Sequence, residues 1–385
     1  MKNLTIDEAT HYFKDLITDQ MTRVSRLSNQ SEWVDYSKKD RLTIGICWGD
    51  GIGESISNQA ERVLRHVLSE DIASGRIIIN HIKGLTIENR AKHLAAIPED
   101  VLAELKACDV ILKGPTTTPQ KGDGWPNIES ANVAMRRELD LFACVRPVKV
   151  PEKNIDWVFF RENTEGAYML GSKGIDMDGM SVDFKVISDP GAERIIRLAF
   201  EYAKNNGKKK VTVVTKSNVV KSTDGRFSEV AMKISEEYKD DGIACDEWYI
   251  DIMSAKLIDE KRQSEFEVFV LPNLYGDILT DEASQIQGGV GTAGSANIGK
   301  QYAMFEAVHG SAPRMVNEGR QQYADPSSMI KAASMLLRHI GRVKHADQID
   351  KALDAIAKQP EFKMTGHSDG ATSEMLTNAI IDTLN

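Results

Sequence analysis

The sequence predicts an α/β fold, and three observations carry that expectation. Short apolar runs of strand length alternate along the chain with segments of helical periodicity. The apolar runs are nearly continuous, the pattern of strands buried on both faces of a parallel sheet. No internal repeat or low-complexity linker interrupts the alternation, so domains are expected to interleave rather than follow one another like beads.

Residues 5 to 28 read as an amphipathic surface helix with Phe13, Leu16, Ile17, Met21, Val24 and Leu27 on its apolar face. The strand "LTIGICW" comes next, then the helix "SNQAERVLRHVLSE", the strand "RIIINHI", the helix "EDVLAELKA" and the strand "DVILKG". A helix opens near Ser130, a strand-like stretch carries Arg146, and "WVFFRE" is a strand with Arg161 at its end. The helix "GAERIIRLAFEYAKNN" leads to the strands "KVTVVT" and "FEVFVLP". In "PNLYGDILTDEASQ" a loop gives way to a helix, and "PSSMIKAASMLLRHIGR" is the last helix that the periodicity marks. The helical runs "EDVLAELKA", "GAERIIRLAFEYAKNN" and "PSSMIKAASMLLRHIGR" open with N-terminal signals.

Composition bounds the function. A chain of 385 residues suggests roughly two to three domains. Charged residues make up 27% and hydrophobic ones 41%, as in globular domains. A net charge of -9 argues against nucleic acid or an anionic membrane as partner, and leaves room for a small anion where Arg and Lys gather. The first residues lack an apolar targeting stretch and carry Asp7, Glu8, Asp15 and Asp19, and no apolar run approaches membrane-spanning length. A cytoplasmic location is expected. Cys47, Cys108, Cys144 and Cys245 form no CxxC pair, so neither zinc nor a disulfide framework is suggested and buried free thiols are expected.

Four stretches point to chemistry. "WGDGIGE" follows a strand but lacks the dinucleotide-fingerprint spacing, so alone it reads as a strand-to-helix turn. On the helix after Ser130, Asn132 and Arg136 share a face; with Arg146 and Arg161 they make a cage for a small polycarboxylate, because a planar guanidinium binds carboxylate oxygens in pairs. Asp277 and Asp281 stand four apart and project from one helix face. Such acids either complement the helix dipole or flank a cation.

From about residue 42 onward the chain resembles the metal-dependent β-decarboxylating dehydrogenases, the family of isocitrate, 3-isopropylmalate and homoisocitrate dehydrogenases. The motifs "GDGIGE", "KGPTTTP", "SANVAMRRELDLFACVRPVK", "RENTEGAY", "TKSNVVK", "NLYGDILTDEAS" and "FEAVHGSAP" occur in the family's order. The resemblance implies Mg²⁺ or Mn²⁺ held by Asp277 and Asp281, with Asp251 supplied from a neighbouring subunit. It also implies that Lys216 serves proton transfer in the oxidation, across a dimer interface, and that Tyr168 gives the proton to the enolate carbon after decarboxylation.

Within the family, Ser130, Asn132 and Arg136 match the isocitrate pattern; burying those polar groups against an isopropyl substituent would leave them unpaired at roughly 1 to 3 kcal/mol each. Isocitrate is therefore the expected substrate, with homoisocitrate, 3-isopropylmalate, an analogue or a non-catalytic regulatory subunit as alternatives. The loop "QKGDGWPNIE" before Ser130 is several residues longer than the family pattern leads one to expect. The cofactor, NADP or NAD, would meet Thr117, His309, Gly310, Ser311, Ala312, Arg314 and Asp325, and Arg314 tilts the expectation to NADP. The implied fold is that of isocitrate/isopropylmalate dehydrogenases: a large α/β domain of residues 1–141 and 288–385, including an N-terminal extension over 1–40, with a smaller α/β domain, 142–287, inserted. The substrate would lie in the cleft. "MLGSKGIDMDGMSVDFKVIS" would form a clasp with its twin in a homodimer with shared active sites.

Overall fold

The computed structural model describes residues 4–27, 32–120, 122–170, 173–289 and 293–384. The N-terminal third contains α1 (Ile6–Leu27), β1 (Leu42–Cys47), α2 (Gly53–Val67), α3 (Ser69–Ala73), β2 (Ile77–His81), α4 (Ile87–His93), α5 (Glu99–Lys106), β3 (Val110–Lys113) and α6 (Ala131–Glu138). The middle contains β4 (Ala143–Val150), β5 (Ile155–Glu162), β6 (Ile175–Met177), β7 (Met180–Val182), α7 (Asp189–Asn205), β8 (Lys210–Thr215), α8 (Thr223–Glu237), β9 (Ala244–Tyr249), α9 (Ile250–Leu257), β10 (Val268–Leu271) and α10 (Asn273–Gln287). The rest is β11 (Gly294–Ile298), β12 (Ala303–Ala307), α11 (Pro313–Asn317), α12 (Ser327–His339), α13 (Val343–Ile356) and α14 (Ser373–Leu384). The fold class is α/β, and all six apolar runs quoted above are strands. Among the described residues no helix is long and apolar enough to cross a membrane.

The chain divides into two compact units, one of residues 33–141 and 287–385, the other of 1–32 and 142–286. In the first, the strands stand in the order β2-β1-β3-β12-β11, parallel except for the β11–β12 hairpin. The carboxyl ends of β1, β3 and β12 thus share one sheet edge, where ligand loops of α/β sheets gather. The core beside them includes Ile111, Leu105, Met135, Leu139 and Met304, drawn from strands and from the apolar faces of α5 and α6.

In the second unit the order is β4-β5-β10-β8-β9, with β4 antiparallel to β5 and the others parallel. The ends of β5, β10 and β8 again share an edge, and the antiparallel β4 begins there. Stacked Phe159 and Phe269, with ring centroids 4.4 Å apart, knit adjacent strands, and Trp157 meets both edge-on. This apolar layer also seats Leu279 and Ala283 of α10.

The N-terminal helix corrects the sequence grouping. Residues 1–32 cluster with 142–286, whereas the sequence places the extension with the chain ends. The cause is specific contact: Leu4 N–H donates to Asp176 O at 2.8 Å, Phe13 stacks on Phe184, and Arg23 pairs with Glu165. Of its expected apolar face only Leu16 is fully buried, while Phe13, Ile17 and Met21 remain exposed.

Candidate active site

The end of β5 and the start of α10 build one cluster. Arg161, 1% exposed, points from β5 to α10, where its Nε and Nη2 donate to Asn273 Oδ1 at 2.9 and 2.7 Å and its Nη1 to Asp277. Tyr168 donates its hydroxyl to the other carboxylate oxygen of Asp277 at 2.8 Å, and the Arg161 guanidinium lies 5.6 Å from the centre of the tyrosine ring. One turn along α10, Arg146 from β4 donates to Thr280 Oγ1 at 2.5 Å and to Asp281 at 2.9 Å. Gly276 allows this proximity: a Cβ there would stand 2.5 Å from Arg161 Cγ. Arg146, Arg161, Tyr168, Asp277 and Asp281 are thus gathered, and Asn273 joins them as a site residue the sequence reading missed although it lies in a quoted motif.

Lys216 and Asp251 form a separate pair in the same unit. Lys216 follows β8 and Asp251 opens α9, and Nζ lies 2.5 Å from Oδ1. That hydrogen bond holds the Asp251 carboxyl below its ordinary range. Fully buried Asp224 fixes the lysine's backbone by accepting its N–H at 2.8 Å, and it also pairs with Lys185. Asp224 lies close beyond "TKSN", but its type gave no hint of this role.

On the other unit, Ser130 is the N-cap residue of α6 without a side-chain capping bond, and Asn132 Oδ1 accepts from Thr116 at 3.1 Å. Arg136 Nη2 lies 3.4 Å from Glu306 Oε1, whose carboxylate also meets Lys113 and Asn297. Burial pushes the Glu306 carboxyl up, but Lys113 and Arg136 outweigh it and hold it low. Arg136 Nε is buried with no hydrogen-bond partner among the described residues. A buried N–H of this kind invites an acceptor from a ligand.

The loops at the ends of β1, β3 and β12 meet in this unit. Gly51 has a left-handed φ, and a Cβ there would collide with Ser311 O, so only glycine lets "WGDGIG" lie against "HGSAP". Buried Asp50 accepts from the N–H groups of Ile87 and Thr117, tying the loops further. Thr117 Oγ1 and Ser311 Oγ are 3.1 Å apart, His309 faces Gly310 O, and space is open where Gly310 would carry a Cβ. Ala312 holds a left-handed φ of 47° before α11, and Asp325 accepts the Ser327 N–H at 2.9 Å. Arg314 is 86% exposed with its Nε on Glu318.

Donor chemistry at Asp277 and Asp281 suits a hard divalent cation, two carboxylates on one face of α10. Among the described residues no group of three or more His, Cys, Asp or Glu side chains is placed to hold a metal. Cys47, Cys108 and Cys144 are buried free thiols and Cys245 is partly exposed.

The sequence profile described as isocitrate/isopropylmalate dehydrogenase matches residues 43–384. The chain is 40% identical over 316 residues to the NADP isocitrate dehydrogenase of Rickettsia prowazekii, covering 80% of this chain and 62% of that protein. It is 37% identical to the homoisocitrate dehydrogenase of Methanocaldococcus jannaschii, covering 81% and 89%. Subunits named for NAD-dependent isocitrate dehydrogenase match as well. Among solved structures, isocitrate dehydrogenase from Methylococcus capsulatus superposes with a TM-score of 0.77 at 32% identity, covering 89% of this chain and 99% of that one.

Proposed function

The chain belongs to the isocitrate/isopropylmalate dehydrogenase family, and from that premise we propose that it oxidatively decarboxylates isocitrate to 2-oxoglutarate with NADP or NAD and Mg²⁺ or Mn²⁺. The observation that carries the substrate is Arg136, whose buried Nε–H has no partner among the described residues and which shares with Asn132 the helix that Ser130 precedes as N-cap residue. A carboxylate satisfies that donor and an isopropyl group leaves it bare, at about 1 to 3 kcal/mol. Arg146 and Arg161 suit the substrate's other carboxylates.

Asp277 and Asp281 would hold the cation, which when bound lowers the pKa of a substrate hydroxyl and stabilises the charge left by lost CO₂, while the nicotinamide accepts hydride. Everything else falls to side chains. Arg161 and Arg146 orient Asp277 and Asp281 by hydrogen bonds, which fixes where the acids point. Tyr168 donates its O–H to Asp277, and rotation about the C–O bond would turn that proton toward a substrate carbon. Lys216, turned to Asp251, serves proton transfer in the oxidation. For the cofactor, the exposed guanidinium of Arg314 suits the 2′-phosphate of NADP, and the open space at Gly310 suits close approach of the dinucleotide backbone. A homodimer with shared sites and a cytoplasmic location complete this reading.

The test is turnover of isocitrate, homoisocitrate and 3-isopropylmalate side by side, each with NADP and NAD in the presence of Mg²⁺. We expect clear preference for isocitrate. The relative named for homoisocitrate makes that acid the runner-up, and preference for 3-isopropylmalate would refute the reading of Ser130, Asn132 and Arg136. No turnover of any acid would point to a regulatory subunit, against which the retained Tyr168, Lys216, Asp251, Asp277 and Asp281 argue.

A further inference from the structure

The helix α1 lies ahead of the stretch matched by the family profile, which begins at residue 43. Its Arg23 nonetheless reaches the loop that carries Tyr168: Nη2 lies 2.5 Å from Glu165 Oε1, and Nε donates to Gln20. Glu165 is 1% exposed and also accepts from the backbone N–H and the hydroxyl of Ser188, at the start of α7. Gly191 makes room for it, because a Cβ there would strike the Glu165 carboxylate. The same loop is tied by Asn273 Nδ2 to Glu165 O at 3.1 Å and by Gly166 N–H to Val186 O at 2.7 Å. Asn273 in turn holds Arg161, and Tyr168 reaches Asp277.

Electrostatics give Arg23 its importance. Glu162, three residues before Glu165, is buried too, and burial together with the charge of Glu165 pushes its carboxyl up to about 7. Arg194 offsets part of this repulsion at Glu162, and Arg23 meets Glu165; leaving Glu165 without its cation in the interior is costly. Leu4 on Asp176 and Phe13 on Phe184 anchor the far end of α1, so Arg23 is delivered by a helix fixed at two other points.

We propose that α1 acts through Arg23 as a positioning element for Tyr168, the ion pair with Glu165 holding the loop over residues 163–168 so that the phenol stays on Asp277. The inference rests on assigning proton delivery to Tyr168. Its test uses the full chain as Arg23→Leu, Arg23→Lys and, for reference, Tyr168→Phe. Backbone hydrogen exchange over 163–168 should quicken about ten-fold or more in Arg23→Leu while exchange in β8 stays unchanged, the loss of one charge-assisted bond to a buried carboxylate. In turnover, kcat should fall about ten-fold with KM for isocitrate within about two-fold, and the solvent deuterium effect on kcat should grow, because a proton step has been slowed. Arg23→Lys should recover most of both.

Unchanged exchange in Arg23→Leu would overturn the proposal. So would faster exchange with kcat and isotope effect unaltered, since Arg23 would then support the fold alone. If the wild type turns over none of the three acids, the proposed function fails, and exchange over 163–168 still decides separately whether Arg23 holds the loop.

Discussion

Asp277 takes two bonds at once, from the buried guanidinium of Arg161 and from the hydroxyl of Tyr168, so its substitution tests a cation site and a structural contact together. Asp277→Asn keeps an acceptor for one of these donors and removes a negative charge. Mn²⁺ affinity measured by calorimetry should fall about ten-fold or more, since hard cations prefer carboxylate oxygens. Stability should drop by about 1 to 3 kcal/mol, because Arg161 loses its charged partner in the interior but keeps Asn273. Wild-type Mn²⁺ affinity in the variant would remove Asp277 from the ligand set. Arg314 is the opposite case, exposed and held only by Glu318 among the bonds described. Arg314→Asp should leave the unfolding midpoint unchanged and raise KM for NADP about ten-fold with little effect on that for NAD, provided the guanidinium meets the 2′-phosphate; an unaltered NADP/NAD preference would exclude that role. Individual residue types in motifs were legible in the sequence: Arg161 at a strand end, Asp277 and Asp281 on one helix face. Their mutual pairing was not, because Arg161 and Asp277 lie 116 positions apart and nothing local couples them. Glu306, which binds Arg136, sits in a quoted motif but was passed over because only its partners reveal its place.

At the scale of elements, the seat of α10 on β5 depends on one missing side chain. Gly276→Ala would put a methyl 2.5 Å from Arg161 Cγ and 2.6 Å from its Cβ. Arg161 is fully buried and its strand is central in its unit, so relief must come from shifting α10. We expect a loss of about 1 to 3 kcal/mol from overpacking, and a rise in KM for substrate because Arg161 and Asp277 separate. Alanine with wild-type stability and KM would show that the helix moves without cost. A second device is His339, at the end of α12, whose ring packs against Tyr36 and Phe305 at 5.1 and 5.5 Å between centroids. Burial lowers its pKa to about 4, against about 6.5 in the unfolded chain. Between those values the unfolded chain binds more protons, so stability is complete above pH about 6.5 and is lost as pH falls toward 4, by on the order of 2 kcal/mol since the residue keeps an exposed edge. In His339→Phe that part of the pH dependence should vanish. Urea midpoints with equal slopes against pH in both proteins would deny it. Strands with continuous apolar runs were legible, whereas β9 ("ACDEWY") is a polar edge strand and β11 ("GSANI") is built of small residues, so neither rises above a loop in hydropathy. The attachment of α1 was hidden for another reason: its anchors, Asp176, Phe184 and Glu165, are far away in sequence, and its amphipathic face fitted any surface equally well.

For the whole molecule, the question is whether one chain suffices for one site. Within a chain, Asp251 is paired with Lys216, and the described residues offer no third carboxylate to join Asp277 and Asp281. The shared-site reading resolves this by letting one subunit supply Asp277 and Asp281 and its neighbour supply Lys216 and Asp251. That arrangement has a consequence single-chain sites lack. Lys216→Met keeps an intact Asp277 and spoils the site next door; Asp277→Asn keeps an intact Lys216 and spoils its own. Each variant alone should be nearly inactive. When the two are unfolded and refolded together, half of the dimers pair one of each by chance, and every such dimer has one site with both groups intact and one with neither. Recovered activity should therefore approach about a quarter of wild type, as the statistics of a symmetric two-fold assembly demand. If each chain completes its own site, every site in the mixture lacks one group and no activity returns. Lys216→Met mixed with Asp251→Asn serves as control: both groups come from the same side of the interface, so either chain in a mixed dimer gives its neighbour a defective set, and the mixture should stay inactive under both arrangements. Activity in the first mixture with none in the control would fix the interface as part of the active site, while silence in both, with refolding of the wild type verified, would confine catalysis to single chains.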